Sequence, residues 1–80
     1  VYPNPAKDAT VVSFLLIEET DVEIKLLNQL GQQVKPVHDG MLTAGTHSIA
    51  FETSSIPEGI YYLEVVTGSE RQVRKISIVK

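Results

Sequence analysis

The side chains in this sequence that could do chemistry are few: His38 and His47, the serines Ser13, Ser48 and Ser77, and the acids Glu18, Glu19, Asp21 and Glu23. A histidine relay needs its serine lifted on a sharp turn beside the base, and each of these serines sits inside a run that reads as strand. A metal site would join His38 and His47 through Asp39 or another carboxylate. Their spacing of nine residues, across what reads as a flexible loop, matches no ligand pattern, so two solvated loop histidines are expected. The four acids lack the glycine and alternating oxygen ligands of a calcium loop and read as a solvated turn. Gly40 and Gly45 lead into no helix N-terminus, so they shape turns and do not cradle phosphate. Cysteine is absent, which removes thiol catalysis, disulfides and cysteine-ligated zinc. Of the aromatics, Phe14, Phe51 and Tyr61 fall on expected core faces, leaving Tyr2 and Tyr62 exposed. The expectation is a chain that is not an enzyme, with no catalytic, cofactor-binding or metal residues and no cofactor.

Length and charge set the frame for that expectation. Eighty residues make one domain, and 42% hydrophobic with 21% charged is a globular composition. No apolar run approaches the roughly 18 residues that a membrane-spanning helix needs. No export signal opens the chain at Val1, and Val1 is not an initiator methionine, so the domain reads as excised from a longer protein. The net charge of −3 argues against nucleic acid as a partner. The charge is also uneven. Residues 70–80 hold four cations against Glu70, a net +3, while residues 1–69 hold three lysines against nine acids, a net −6. A basic end on an acidic body suits either recognition of that end or solvation of an exposed edge strand.

The elements that must position these residues alternate strand and turn throughout. Tyr2-Pro3-Asn4-Pro5 is extended or turning, because two prolines fix φ and restrict their neighbours. Residues 10–17 form a β-branched run that is apolar on both faces, hence a well-covered strand. Val22, Ile24 and Leu26 alternate with Glu23 and Lys25, the pattern of a strand with one wet face. Asn28-Gln29-Leu30-Gly31 turns the chain. Residues 32–37 form a short strand that Pro36 confines to an edge, and residues 38–46 read as the longest irregular stretch. Further strands follow at 47–52, 60–67 and 71–79. Six strands at this spacing, with room for a short seventh near Tyr2 and none for a helix, predict an antiparallel sandwich or small barrel. Its expected core is Val12, Phe14, Leu16, Val22, Ile24, Leu26, Val34, Ile49, Phe51, Tyr61, Leu63 and Val65.

Five segments in order carry a resemblance: Tyr2-Pro3-Asn4-Pro5-Ala6, the run from Leu26 to Val34 through Asn28 and Gly31, Leu42-Thr43-Ala44-Gly45-Thr46-His47, Ile56-Pro57-Glu58-Gly59-Ile60-Tyr61-Tyr62-Leu63, and Arg74 to Lys80. Together they resemble the type A C-terminal sorting domain of the type IX (Por) secretion system of Bacteroidetes, over essentially the whole chain. Residues 35–45 have no strong counterpart. The resemblance implies an all-β, immunoglobulin-like antiparallel sandwich of about seven strands. It also implies a cargo domain preceding this one, passage through the periplasm, and direction through an outer-membrane translocon. Removal by a sortase-like peptidase and attachment of the cargo at the cell surface, or release outside the cell, complete the implied route. The matching positions are Pro3, Asn4, Pro5, Gly31, Gly45, Gly59 and Tyr61, with structural roles. Lys75, Ile76, Ile78, Val79 and Lys80 form a terminal edge strand that the translocon would read by strand addition. Deleting residues 75–80 is then expected to leave the fold largely formed while blocking export. The competing expectation is a carbohydrate-binding or fibronectin-like accessory module, resting on the sandwich and on Tyr62. Pairing of two copies through their edges is left open.

Overall fold

The computed structural model describes residues 8–68 and 70–79. The short strand expected near Tyr2, and the motif residues Pro3, Asn4, Pro5 and Lys80, lie outside them. The described residues form six strands and no helix: β1 (Ala9–Leu16), β2 (Thr20–Leu27), β3 (Gln33–Leu42), β4 (Gly45–Glu52), β5 (Gly59–Thr67) and β6 (Glu70–Ile78). β1 and β4 make a two-stranded sheet, and the order β3-β2-β5-β6 makes a four-stranded one, with every pair antiparallel. The architecture is sandwich-like and consistent with an immunoglobulin-like fold, as expected.

The core forms where the two sheets face each other. Val22, Ile24, Leu26, Leu63, Ile76 and Ile78 are at most 1% exposed. Each such side chain contributes about 1.5–3 kcal/mol through burial. Val12, Leu16, Phe51, Ile56 and Tyr61 complete the cluster, with Phe14, Val37, Leu42, Ile49 and Val65 packed partly against it.

Three expectations are corrected. Val34 was expected in the core but is exposed. The β2–β3 register passes from Leu26↔Lys35 to Leu27↔Gln33, leaving Val34 unpaired in a bulge, while a second shift leaves out Val37, which does reach the core. Residues 38–46 are not a long loop, because β3 runs on through Leu42 and only Thr43 and Ala44 separate it from β4. β1 is not covered on both faces: Leu15 on its outer face and Ile17 just beyond its end are 70% and 95% exposed, and no described strand packs on that face of the two-stranded sheet. The terminal strand also supplies more of the core than expected, through Ile76 and Ile78.

Candidate functional site

The β5–β6 pair is the longest uninterrupted ladder, running from Gly59↔Ile78 to Thr67↔Glu70 without a bulge. Among the described residues β6 is the last strand of its sheet and pairs with β5 alone. Its burial is divided. Residues 70–75 are all exposed, whereas Ile76 and Ile78 are sealed in the core with Ser77 half-buried between them. The two-stranded sheet is too narrow to cover the inner side of β6 along its first half, which leaves Gln72 and Arg74 in solvent.

The basic residues of this strand have distinct partners. Arg71 Nε donates to Glu64 Oε2 at 2.5 Å, and Lys25 Nζ lies 3.6 Å from Glu64 Oε1 and 3.4 Å from Glu23. Glu64 stands on the outer side of β5, between β2 and β6, with its side chain only 11% exposed. One carboxylate therefore ties three strands together across the sheet. A buried charge needs such partners, and removing one would leave it uncompensated. Arg74 folds onto its own strand, donating to Gln72 Oε1 at 3.2 Å and to the Val73 carbonyl at 3.3 Å. Lys75 and Val79 are exposed.

Of the residues expected to be read on this strand, Lys75 and Val79 present their side chains to solvent. Ile76 and Ile78 do not, since their side chains belong to the core. The same burial argues against the expectation that deleting residues 75–80 leaves the fold largely formed.

The motif residues with structural roles have local explanations. Asn28 Oδ1 accepts from Leu30 N at 2.9 Å and Gln32 N at 3.0 Å, while Asn28 Nδ2 donates to Gln32 Oε1 at 3.0 Å. This side chain closes the β2–β3 turn, and Gly31 takes φ +83 within it, a left-handed conformation that costs other residues about 1–2 kcal/mol. Gly45 and Gly59 open β4 and β5. Tyr61 turns inward beside Gly59, and its hydroxyl donates to the Pro57 carbonyl at 2.7 Å. A tyrosine bonding back to the backbone a few residues upstream is the tyrosine corner of immunoglobulin-like sandwiches. It fixes the path of the loop that delivers β5.

The groups considered for chemistry are held apart. His38 and His47 lie on β3 and β4, not in a flexible loop. His38 Nε2 sits 3.4 Å from the Gly40 carbonyl, and His47 Nε2 donates to the Thr43 carbonyl at 2.7 Å while its ring stacks on Phe14 at 5.8 Å. Ser13 and Ser48 face each other at 3.1 Å across β1 and β4. They lie on the outer side of the sheet whose inner side carries His47, so no relay joins them. Ser77 is on β6. Among the described residues no group of three or more His, Cys, Asp or Glu converges in metal-binding geometry. Tyr62 is half-buried, between its register partners Leu27 and Lys75.

The Glu64 junction and the role of Asn28 were not among the expectations from sequence. The first had a signal: Glu64 is the lone acid on a strand face otherwise made of Ile60, Tyr62 and Val66. The second was visible as an asparagine three residues before a glycine in a turn.

A tyrosine-cornered, all-β sandwich of two antiparallel sheets defines the class by fold. Over residues 1–80 the chain matches the family model of the secretion system C-terminal sorting domain, and it belongs to that family, the sorting domain of type IX secretion. No curated protein and no solved structure matches it. As a member it is a sorting signal for export by a type IX system to the cell surface or extracellular space. No helix among the described residues is long and apolar enough to cross a membrane.

Proposed function

We propose that the domain is a non-catalytic signal read by the outer-membrane translocon at the edge of β6. The observation that carries this is the division within that strand. Its second half is anchored in the core by Ile76 and Ile78, while Lys75 and Val79 are exposed and, among the described residues, β6 pairs with a strand on one side only. Strand addition at such an edge draws affinity from main-chain hydrogen bonds and specificity from the flanking side chains. The anchored isoleucines make recognition depend on the folded state, because an unfolded tail has no fixed edge. In this reading a cargo domain precedes the sandwich, crosses the periplasm with it, and is freed by a sortase-like peptidase before attachment to the cell surface.

The test is a reporter protein with an inner-membrane export signal, fused ahead of residues 1–80 and expressed in a cell with a type IX system. Fractionation should place the reporter outside the outer membrane, and mass spectrometry should find it without the 8.8 kDa domain. A reporter that crosses equally well without the domain defeats the sorting role. A reporter that crosses with the domain still attached defeats the cleavage step alone.

A further inference from the structure

The outer face of the four-stranded sheet is ordered by charge from one side to the other. Its rows follow from the register. Asp39, Glu23, Val66 and Arg71 stand side by side across β3, β2, β5 and β6. Pro36, Lys25, Glu64 and Val73 form the next row, and Gln33, Leu27 and Tyr62 begin the one after it. The acids Asp21, Glu23 and Asp39 therefore lie on the β2–β3 half and the cations Arg71 and Lys75 on the β6 half, with Leu27, Tyr62 and Val66 between them.

This face meets solvent. The Arg71 side chain is 61% exposed, Met41 is 58% and Val73 is 38% exposed, and Asp39 and Pro36 are exposed too. Apolar and aromatic side chains at the middle with charge toward the rim are the anatomy of an interface.

We propose that this face pairs with the same face of a second copy of the chain, about a two-fold axis parallel to the strands. Such an axis lays β6 of one copy over β3 of the other and β5 over β2, and keeps each row level with its counterpart. Arg71 then meets Asp39 of the second copy, Glu64 meets Lys25, Val73 meets Pro36, and Tyr62 meets Leu27. The interface is isologous, so each contact forms twice. Strands that run nearly parallel across the gap also match aligned sheet packing, within about 30°. A two-fold axis across the strands would lay β6 over β6 and β3 over β3, setting cations on cations and acids on acids. The order of charge thus selects both the partner and the way it is turned.

Four strands about 4.8 Å apart make a face about 19 Å wide, which is small for a specific interface. The Lys25 and Glu64 charges at its centre also lose water on pairing. The dimer is therefore weak, half-formed at about 0.1 mM. It covers the outer side of β6, so the paired form is closed to a translocon that reads that strand. The pairing itself does not depend on that reading.

The test is sedimentation of the 80-residue chain between about 0.01 and 1 mM. The average mass should rise from 8.8 kDa toward twice that value, and about 500 mM NaCl should weaken association about fivefold or more. Asp39→Arg and Arg71→Asp, with urea midpoints matching the unaltered chain, should each stay monomeric alone. Mixed in equal amounts they should associate, because each reversed charge then faces an opposite one. A nitroxide on Met41→Cys, in a chain with no other cysteine, should broaden amides 70–73 of an isotopically labelled second copy most strongly. That measurement decides the orientation even where Arg71→Asp, placed beside Glu64, fails to fold.

A mass of 8.8 kDa up to about 1 mM overturns the proposal. Association that survives Asp39→Arg, or that mixing the two folded variants fails to restore, overturns it too. Strongest broadening on β1, β3 or β4 places the contact elsewhere and also overturns it.

Discussion

Replacing Ile76 by alanine tests whether the terminal strand is part of the core or an appendage to it. Ile76 is 0% exposed, and the change removes three carbons from a site with no access to water. At about 0.8 kcal/mol per methylene the lost transfer energy is about 2.4 kcal/mol. With the cavity left behind, the expected cost is about 3–4 kcal/mol. A domain of 80 residues holds about 4–12 kcal/mol in total, so this single change takes a large share of it. Val79, 37% exposed and beyond the last ladder pair, should cost less than about 1 kcal/mol on the same replacement. Urea unfolding followed by circular dichroism measures both. For a slope near 1 kcal/mol/M the Ile76 midpoint should fall by about 3 M with the slope unchanged. A cost under about 1 kcal/mol at Ile76, or equal costs at the two positions, refutes the reasoning. If it holds, deleting residues 75–80 removes Ile76 and Ile78 together, at about 6–8 kcal/mol. Such a truncation would report unfolding, not loss of recognition.

Three further outcomes follow from the same geometry. Asn28→Ala removes the side chain that closes the β2–β3 turn and should lower stability by about 1–2 kcal/mol in thermal unfolding, with the remaining strands intact by NMR. Glu64→Gln keeps the shape but removes the carboxylate shared by Lys25 and Arg71. Because Arg71 is 61% exposed, the loss should be about 1–2 kcal/mol, and a double-mutant cycle with Arg71→Ala should show coupling. Tyr61→Phe deletes only the hydroxyl on the Pro57 carbonyl and should cost about 1 kcal/mol in urea unfolding, with faster exchange at the Ile56 amide.

The alternation of Val22, Ile24 and Leu26, and of Tyr61, Leu63 and Val65, was legible because period two follows directly from the pleat. The edge position of β3 was legible from Pro36. What stayed hidden depends on pairing between distant residues. Val34 has the right type and spacing for the core, but bulges opposite β2 displace it. Leu15 and Ile17 look like core residues, yet both are exposed, and no described strand covers the outer face of the two-stranded sheet. His38 and His47 read as loop residues because Gly40 and Gly45 look like turn signals, whereas Gly40 is paired with Val22 inside the sheet. Of the candidate site, the basic edge strand was readable. The opposite fates of neighbouring side chains, Lys75 outside and Ile76 inside, needed the second sheet to be seen.

In the proposed function, the folded β6 strand with its exposed Lys75 and Val79 is what sorts the cargo. The most direct measurement is export of the reporter fusion carrying Lys75→Glu with Val79→Asp, compared with the unaltered domain, after purified protein has shown matching urea midpoints. The unaltered fusion should reach the cell exterior while the folded variant accumulates in the periplasm. Export of the variant at the unaltered rate would contradict that role.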